Sequence, residues 1–134
     1  MERAGLTLRV DLGTGHAVGP GKIRLLEQIH KSGSITQAGR DLGLSYRRAW
    51  LLINDLNNSF RLPVIEAATG GVGGGSTRLT PFGRKLVRLY QTIEAEALAA
   101  TWKRRREFQA ALNTAKPGLR NSIKRPLGNA AARR

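Results

Sequence analysis

The sequence predicts a mainly α fold with a small β wing, in which a helix-turn-helix is followed by a wing and a long C-terminal helix. Three observations predict it. Two short amphipathic segments meet at Asp41-Leu42-Gly43-Leu44-Ser45. Two strand-like runs flank the glycine-laden residues 69–76. From Phe82 an apolar stripe then recurs at three-and-four spacing, with no strong breaker before Pro117.

A chain of 134 residues fits one domain plus extensions around one modest core. Its 23 Lys and Arg against 9 Asp and Glu leave a net charge of +14. Such an excess points to a polyanionic partner, either nucleic acid or an acidic membrane surface. The charge is uneven, because residues 103–134 hold 10 basic residues against the single acid Glu107. The absence of cysteine removes disulfides, thiolate metal sites and cysteine nucleophiles together. No apolar run approaches the roughly 20 residues that span a bilayer, and the first 15 residues lack the charged-then-apolar layout of a signal peptide. The expected location is cytoplasmic, with no membrane partner.

In chain order, residues 6–12 alternate apolar and polar, a strand with Leu6, Leu8, Val10 and Leu12 on its buried face. It must pair with something further along, since a lone strand is unstable. Residues 13–21 are rich in glycine and read as a loop. Residues 22–31 read as a helix whose stripe is Ile23, Leu26, Ile29 and His30, with Leu25, and which Gly33 stops. His30 has no second ligand nearby, so packing or a helix-dipole role suits it better than a metal.

Ser34 caps a helix over residues 35–42, in which Ala38 and Gly39 are small enough for a tight crossing. Gly43 takes the sharp turn, with positive φ expected. Ser45 caps the next helix, residues 46–58, with Ala49, Leu52, Ile53, Leu56 and Phe60 buried and Tyr46, Arg47, Arg48, Leu51, Asn54 and Asp55 exposed. A basic pair in the first turn suits a groove-reading helix, whose N-terminal end makes the base contacts. Trp50 reads as packing rather than as a DNA-rim residue.

Residues 63–67 and 77–80 form the two strands of the wing, and Arg78 supplies charge beside its tip. Gly73, Gly74 and Gly75 would let backbone N–H groups approach phosphates. A phosphate-binding P-loop fails on detail, for no Gly-Lys-Ser/Thr follows. Thr80 and Pro81 open the long helix, whose stripe is Phe82, Leu86, Leu89, Ile93, Ala97 and Ala100, with Val87 and Tyr90 on its flank. A helix of about thirty residues outreaches a small domain, so it reads as a dimerisation helix. The division expected is 1–80 for the winged helix-turn-helix, 81–113 for the long helix, and 114–134 for a basic, disordered tail.

The residues Gly33-Ser34-Ile35, Ser45-Tyr46, Ala49-Trp50 and Ile53-Asn54 resemble the N-terminal DNA-binding domain of the ModE family, molybdate-responsive regulators of LysR type. So do Ala68-Thr69-Gly70-Gly71, Gly73-Gly74-Gly75, Leu79-Thr80 and Gly83. The likeness covers about residues 5–100. It implies a homodimer on an inverted-repeat operator, joined by the N-terminal strand and the long helix. The expected dimer contacts are Leu8, Val10, Phe82, Leu86, Leu89, Ile93 and Ala97. The expected DNA contacts are Ser34, Thr36, Gln37, Ser45, Tyr46, Arg47, Arg48, Gly73, Gly74, Gly75 and Arg78. No molybdate-binding domain of the family is expected from the residues after the long helix, so no molybdate site is carried over. Sensing then falls to a separate protein, or regulation proceeds without a direct ligand.

The function expected is a sequence-specific, double-stranded-DNA-binding transcriptional regulator. The rival is a non-specific nucleoid or RNA-binding protein driven by its basic tail. No enzyme, cofactor or metal site is expected, since His16, His30 and the scattered acids share no catalytic spacing.

Overall fold

The computed structural model describes residues 5–13, 15–68 and 76–113. In chain order its elements are β1 (Val10–Asp11), β2 (Ala17–Val18), α1 (Pro20–Ser32), α2 (Ile35–Asp41), α3 (Tyr46–Ser59), β3 (Ile65–Ala67), β4 (Thr77–Leu79) and α4 (Pro81–Ala110). Mainly helical with two small hairpins, this is the winged helix-turn-helix and long helix that the sequence predicts. Residues 6–100 form one compact unit, and residue 5 with residues 101–113 belongs to a second.

The N-terminal strand is shorter than its alternation suggests. Burial does alternate over residues 5–13, with Leu6, Leu8, Val10 and Leu12 half-buried and their neighbours exposed. Ladder pairing, however, is confined to Val10↔Val18 and Asp11↔Ala17. The partner strand lies within the stretch expected to be loop. Gly13 and Gly15 lie between the two strands and both have positive φ.

Helix α1 starts two residues earlier than expected because Pro20 fits the first helical turn, where its missing N–H goes unused. Ile23, Leu25, Leu26 and Ile29 are buried, but His30 is exposed and must be removed from the stripe. Gly33 ends the helix at φ 71°, and its N–H donates to the Ile29 carbonyl. Both expected caps form: Ser34 Oγ accepts from Gln37 N and Ser45 Oγ from Arg48 N, each at 3.0 Å. Between them Gly43 turns the chain at φ 71°. Each such cap stabilises its helix by about 1 kcal/mol.

The core joins α1, α2 and α3 through Leu25, Leu26, Ile29, Ala38, Ala49, Ile53 and Leu56, with Val64 and Leu79 from the wing and Leu86, Val87 and Tyr90 from α4. Strands β3 and β4 pair antiparallel in the register Ile65↔Leu79, Glu66↔Arg78 and Ala67↔Thr77. Thr80, itself buried, joins wing to helix. Its hydroxyl donates to the Pro63 carbonyl at 2.7 Å and accepts from Gly83 N at 2.9 Å. Gly83 passes so close to Val64 that a Cβ would overlap the Val64 carbonyl oxygen and lie 3.1 Å from its carbon.

The apolar stripe of α4 splits. Gly83, Leu86, Val87 and Tyr90 are buried within this chain, whereas Leu89 and Ile93 remain 50% and 42% exposed. Leu86, one of the expected dimer contacts, is buried in this chain's own core. Phe82 lies edge-on to Phe60 at 5.3 Å and is half-buried in the same way. Leu8 also packs against the core, and its carbonyl accepts from the Tyr90 hydroxyl at 2.7 Å. In the second unit, the Trp102 ring has the Arg106 guanidinium at 5.4 Å and the Lys103 ammonium at 6.0 Å from its centre.

Candidate nucleic-acid interface

Helix α3 has two unlike sides. Ala49, Ile53 and Leu56 are buried, while Tyr46, Arg47 and Arg48 in its first turn are all exposed. Neither arginine forms a salt bridge with another described residue. The cap makes this a defined end: the Ser45 side chain takes the Arg48 N–H, and other first-turn N–H groups stay available to an anion. Two guanidiniums at such a terminus can donate in bidentate fashion to a guanine edge or to phosphate.

Tyr46 is 60% exposed, and its ring meets the Trp50 indole edge-on at 6.2 Å between centres and 71° between planes. Trp50 packs against the core as expected. Its Nε1–H is nonetheless buried without a hydrogen-bond partner among the described residues. The i, i+4 spacing of the two aromatics is the sequence signal for this pairing.

Asp55, expected to be exposed, is instead the anchor of α3. It accepts from Lys22 at the start of α1 and, at 3.2 Å, lies beside His16 Nδ1 from the loop before β2. Lys22 also donates to the Ala17 carbonyl at 2.6 Å. The hydrogen bond from Lys22 is the main cause holding the Asp55 carboxyl below its ordinary pKa. Desolvation opposes this, and the charges of Lys22 and His16 assist it. These partners lie 33 and 39 residues away, so no local pattern could reveal them.

The remaining expected contacts fall at three places. Ser34, Thr36 and Gln37 lie at the N-terminus of α2, with Thr36 and Gln37 exposed. The Gln37 amide is engaged by Asp41 at 2.8 Å, while the Ser34 hydroxyl accepts its cap bond and keeps an O–H to donate. Arg78 projects from β4 and pairs with Glu66 across the wing at 2.9 Å. Both partners are well exposed, so the pair is weak and open to exchange with phosphate. Gly73, Gly74 and Gly75 lie outside the described residues. The wing is tied to the helices by Thr77 N donating to the Gly33 carbonyl at 2.8 Å, and by Val64 N donating to Asn57 Oδ1 at 2.9 Å.

Among the described residues no cluster of three or more His, Asp or Glu side chains could hold a metal ion. No helix of the described residues is long and apolar enough to cross a membrane.

A capped helix pair crossing at Gly43, with a hairpin wing fastened beside it, defines a regulatory winged helix-turn-helix. Residues 21–84 match the bacterial regulatory helix-turn-helix family of lysR type. The chain is similar to the molybdenum transport protein ModE of Azotobacter vinelandii, 40% identical over 97 residues, which is 72% of this chain and 35% of that protein. It is 45% identical over 82 residues to the molybdenum-pterin-binding protein MopB of Rhodobacter capsulatus, 61% of this chain and 30% of that one. It is also 45% identical over 74 residues to the DNA-binding transcriptional dual regulator ModE of Escherichia coli K12, 55% of this chain and 28% of that one. The folded part of the chain thus belongs to the ModE-type DNA-binding domains of the lysR helix-turn-helix family. The matched stretch spans about a third of the length of these relatives.

Proposed function

We propose that this protein is a transcriptional regulator that binds double-stranded DNA with sequence preference, as a homodimer on an inverted-repeat operator. The observation that carries this is the exposed Arg47–Arg48 pair on the capped first turn of a helix whose other side is core. Two such helices would enter successive major grooves about 34 Å apart. Ser34, Thr36, Gln37, Ser45 and Tyr46 hold the register on the backbone, with Arg78 and the tip residues Gly73, Gly74 and Gly75 on flanking phosphates.

Leu89 and Ile93 give the partner subunit an exposed apolar strip on α4, with the half-buried Ala97 one turn further on. Leu8 and Val10 take part at the margin, being half-buried already. The corresponding division is 1–80 for reading, 81–113 for pairing and 114–134 for the basic tail. The reading assigns no catalysis and no molybdate site to this chain, and places it in the cytoplasm with any molybdate sensing left to a separate protein. A gel-shift assay with operator and scrambled duplexes tests the central claim. Arg47→Ala with Arg48→Ala abolishes the preference between the two, and a preference left unchanged sinks the role given to them.

A second reading has one observation in its favour, the cation-flanked Trp102 next to the basic run of residues 103–106. It makes the C-terminal region a sequence-indifferent nucleic-acid binder. Truncation before Pro117, combined with Trp102→Ala, Lys103→Ala and Arg106→Ala, separates the two. If preference survives, the winged helix reads; if all binding goes, the tail is what binds.

A further inference from the structure

Beside the wing, and apart from the exposed face of α3, α1 and α4 enclose a groove of about 460 Å³ with Leu79 and Val87 on its floor. That volume lies in the range of small-molecule sites, which run from about 300 to 1,000 Å³. Its rim carries three permanent cations, Lys31, Arg84 and Arg88, against the single acid Glu27. His30 and Lys31 come from the last turn of α1, and Arg84 and Arg88 stand one turn apart on α4.

The acid on this rim is already engaged. The Glu27 carboxylate accepts from the Gln91 amide at 2.7 Å. Arg84 is held in place by its donation to the Leu79 carbonyl at 3.1 Å, which leaves the rest of its guanidinium to face the groove. Lys31 and Arg88 are exposed and form no salt bridge with a described residue.

The placement of the arginines runs against their own helix. The first turn of α4 has no acid, and Arg84 sits close to the positive end of the helix dipole. Cations crowded there repel one another and the terminus. A bound anion would add an attraction to each of these cations and to the helix terminus, offsetting their mutual repulsion. Two guanidinium forks at i, i+4 suit the oxygens of a phosphate or carboxylate, and the Leu79–Val87 floor suits a small carbon skeleton.

We infer that this groove binds a small multivalent anion bearing phosphate or carboxylate groups. A duplex backbone is a less good match, because it meets side chains standing out from a surface, whereas these surround a concave, apolar-floored notch. The site touches β4 through Leu79 and α4 through Val87, so its occupancy would bear on both the wing and the long helix. The inference stands on the groove alone and does not need the DNA-binding reading to hold.

Calorimetric titration of the full chain with inorganic pyrophosphate and, separately, with citrate tests it. Lys31→Ala with Arg88→Ala should weaken binding at least about tenfold, the effect of losing charge-assisted hydrogen bonds. A charge-matched control, Arg61→Ala with Lys85→Ala, lies outside the groove and should bind as the parent does. Pyrophosphate preference marks a phosphate ligand and citrate preference a carboxylate one; either supports the site. Absence of binding by both anions overturns the inference, as does equal weakening in the control. A third overturning result is loss of random-duplex affinity in the groove variant with no anion bound, which would make these residues duplex contacts. Gel shifts of the unaltered chain are scored separately, so failure of DNA binding leaves the groove's result intact.

Discussion

Thr77 donates its backbone N–H to the carbonyl of Gly33 at 2.8 Å, so the first residue of β4 is fastened to the residue on which α1 ends. Ser34, the cap of α2, follows immediately in the chain. Wing, helix end and cap therefore share one hinge-like segment of backbone. Ser34→Ala should lower stability by about 1 kcal/mol, and Ser45→Ala by a similar amount. Urea unfolding measures both, and a double variant costing the sum would show the two caps to be independent.

Gly83 and Gly21 make a matched pair. A Cβ at Gly83 collides with backbone of Val64, while one at Gly21 meets nothing within 4 Å. Gly83→Ala should destabilise by about 3 kcal/mol, the upper part of the overpacking range. Gly21→Ala, in the first turn of α1, should be neutral or stabilise by up to about 1 kcal/mol. Thermal unfolding of the two variants side by side checks the contrast.

The Asp55 anchor predicts an acid limb in stability. Its carboxyl has a lower pKa folded than unfolded, so the pairing contributes fully above the unfolded value. It is lost as pH falls from about 4 through the lower folded value. Asp55→Asn should lose stability at neutral pH and show a shallower decline over that acid window. Denaturant melts at several pH values test this, and an unchanged slope below pH 4 would exclude Asp55 as a source of the limb.

Tyr90 should behave oppositely. Burial, and then the charge of Glu94, push its hydroxyl pKa up, with Arg24 opposing. A raised pKa means stability present below about pH 10 and lost as pH rises through the folded value. Tyr90→Phe also removes the bond to Leu8, at a cost of about 1 kcal/mol. The variant should be less stable at neutral pH and show a smaller decline at alkaline pH, followed by circular dichroism.

The uncovered strip on α4 predicts an association defect. Ile93→Glu with Leu89→Glu places charge on exposed side chains, so the fold should survive while the dimer is lost. Sedimentation equilibrium distinguishes the outcomes, and an unaltered dimer would move the interface elsewhere.

Much of this was legible because local chemistry carried it. Ser34 and Ser45 announce helix starts, Gly33 and Gly43 supply the left-handed turns, and the 3.6-residue stripe of α3 marks its buried side. What escaped was either too short or non-local. The two residues of β2 carry no period, and the Asp55–Lys22 pair brings together positions on different helices. The stripe of α4 shows a subtler limit. Periodicity gives the apolar side of a helix but not which part serves its own core, and Leu86 and Leu89 fall on opposite sides of that division. The arginine pair on α3 is readable as exposed from its place opposite the apolar stripe, whereas the edge-on geometry of Tyr46 on Trp50 beside it depends on the fold.

The bond from Tyr90 to Leu8 spans 82 positions of the chain. Most of the fold is knit by nearer neighbours, and closing so long a loop costs more entropy than any of those steps. The N-terminal strand should therefore be laid down late in folding, after the helices have assembled. It is also the natural place for the native state to open first, because few other bonds hold it. Amide exchange should find Val10 and Val18 trading their protons well before Ile53 and Leu56, which would make this edge of the domain its seam.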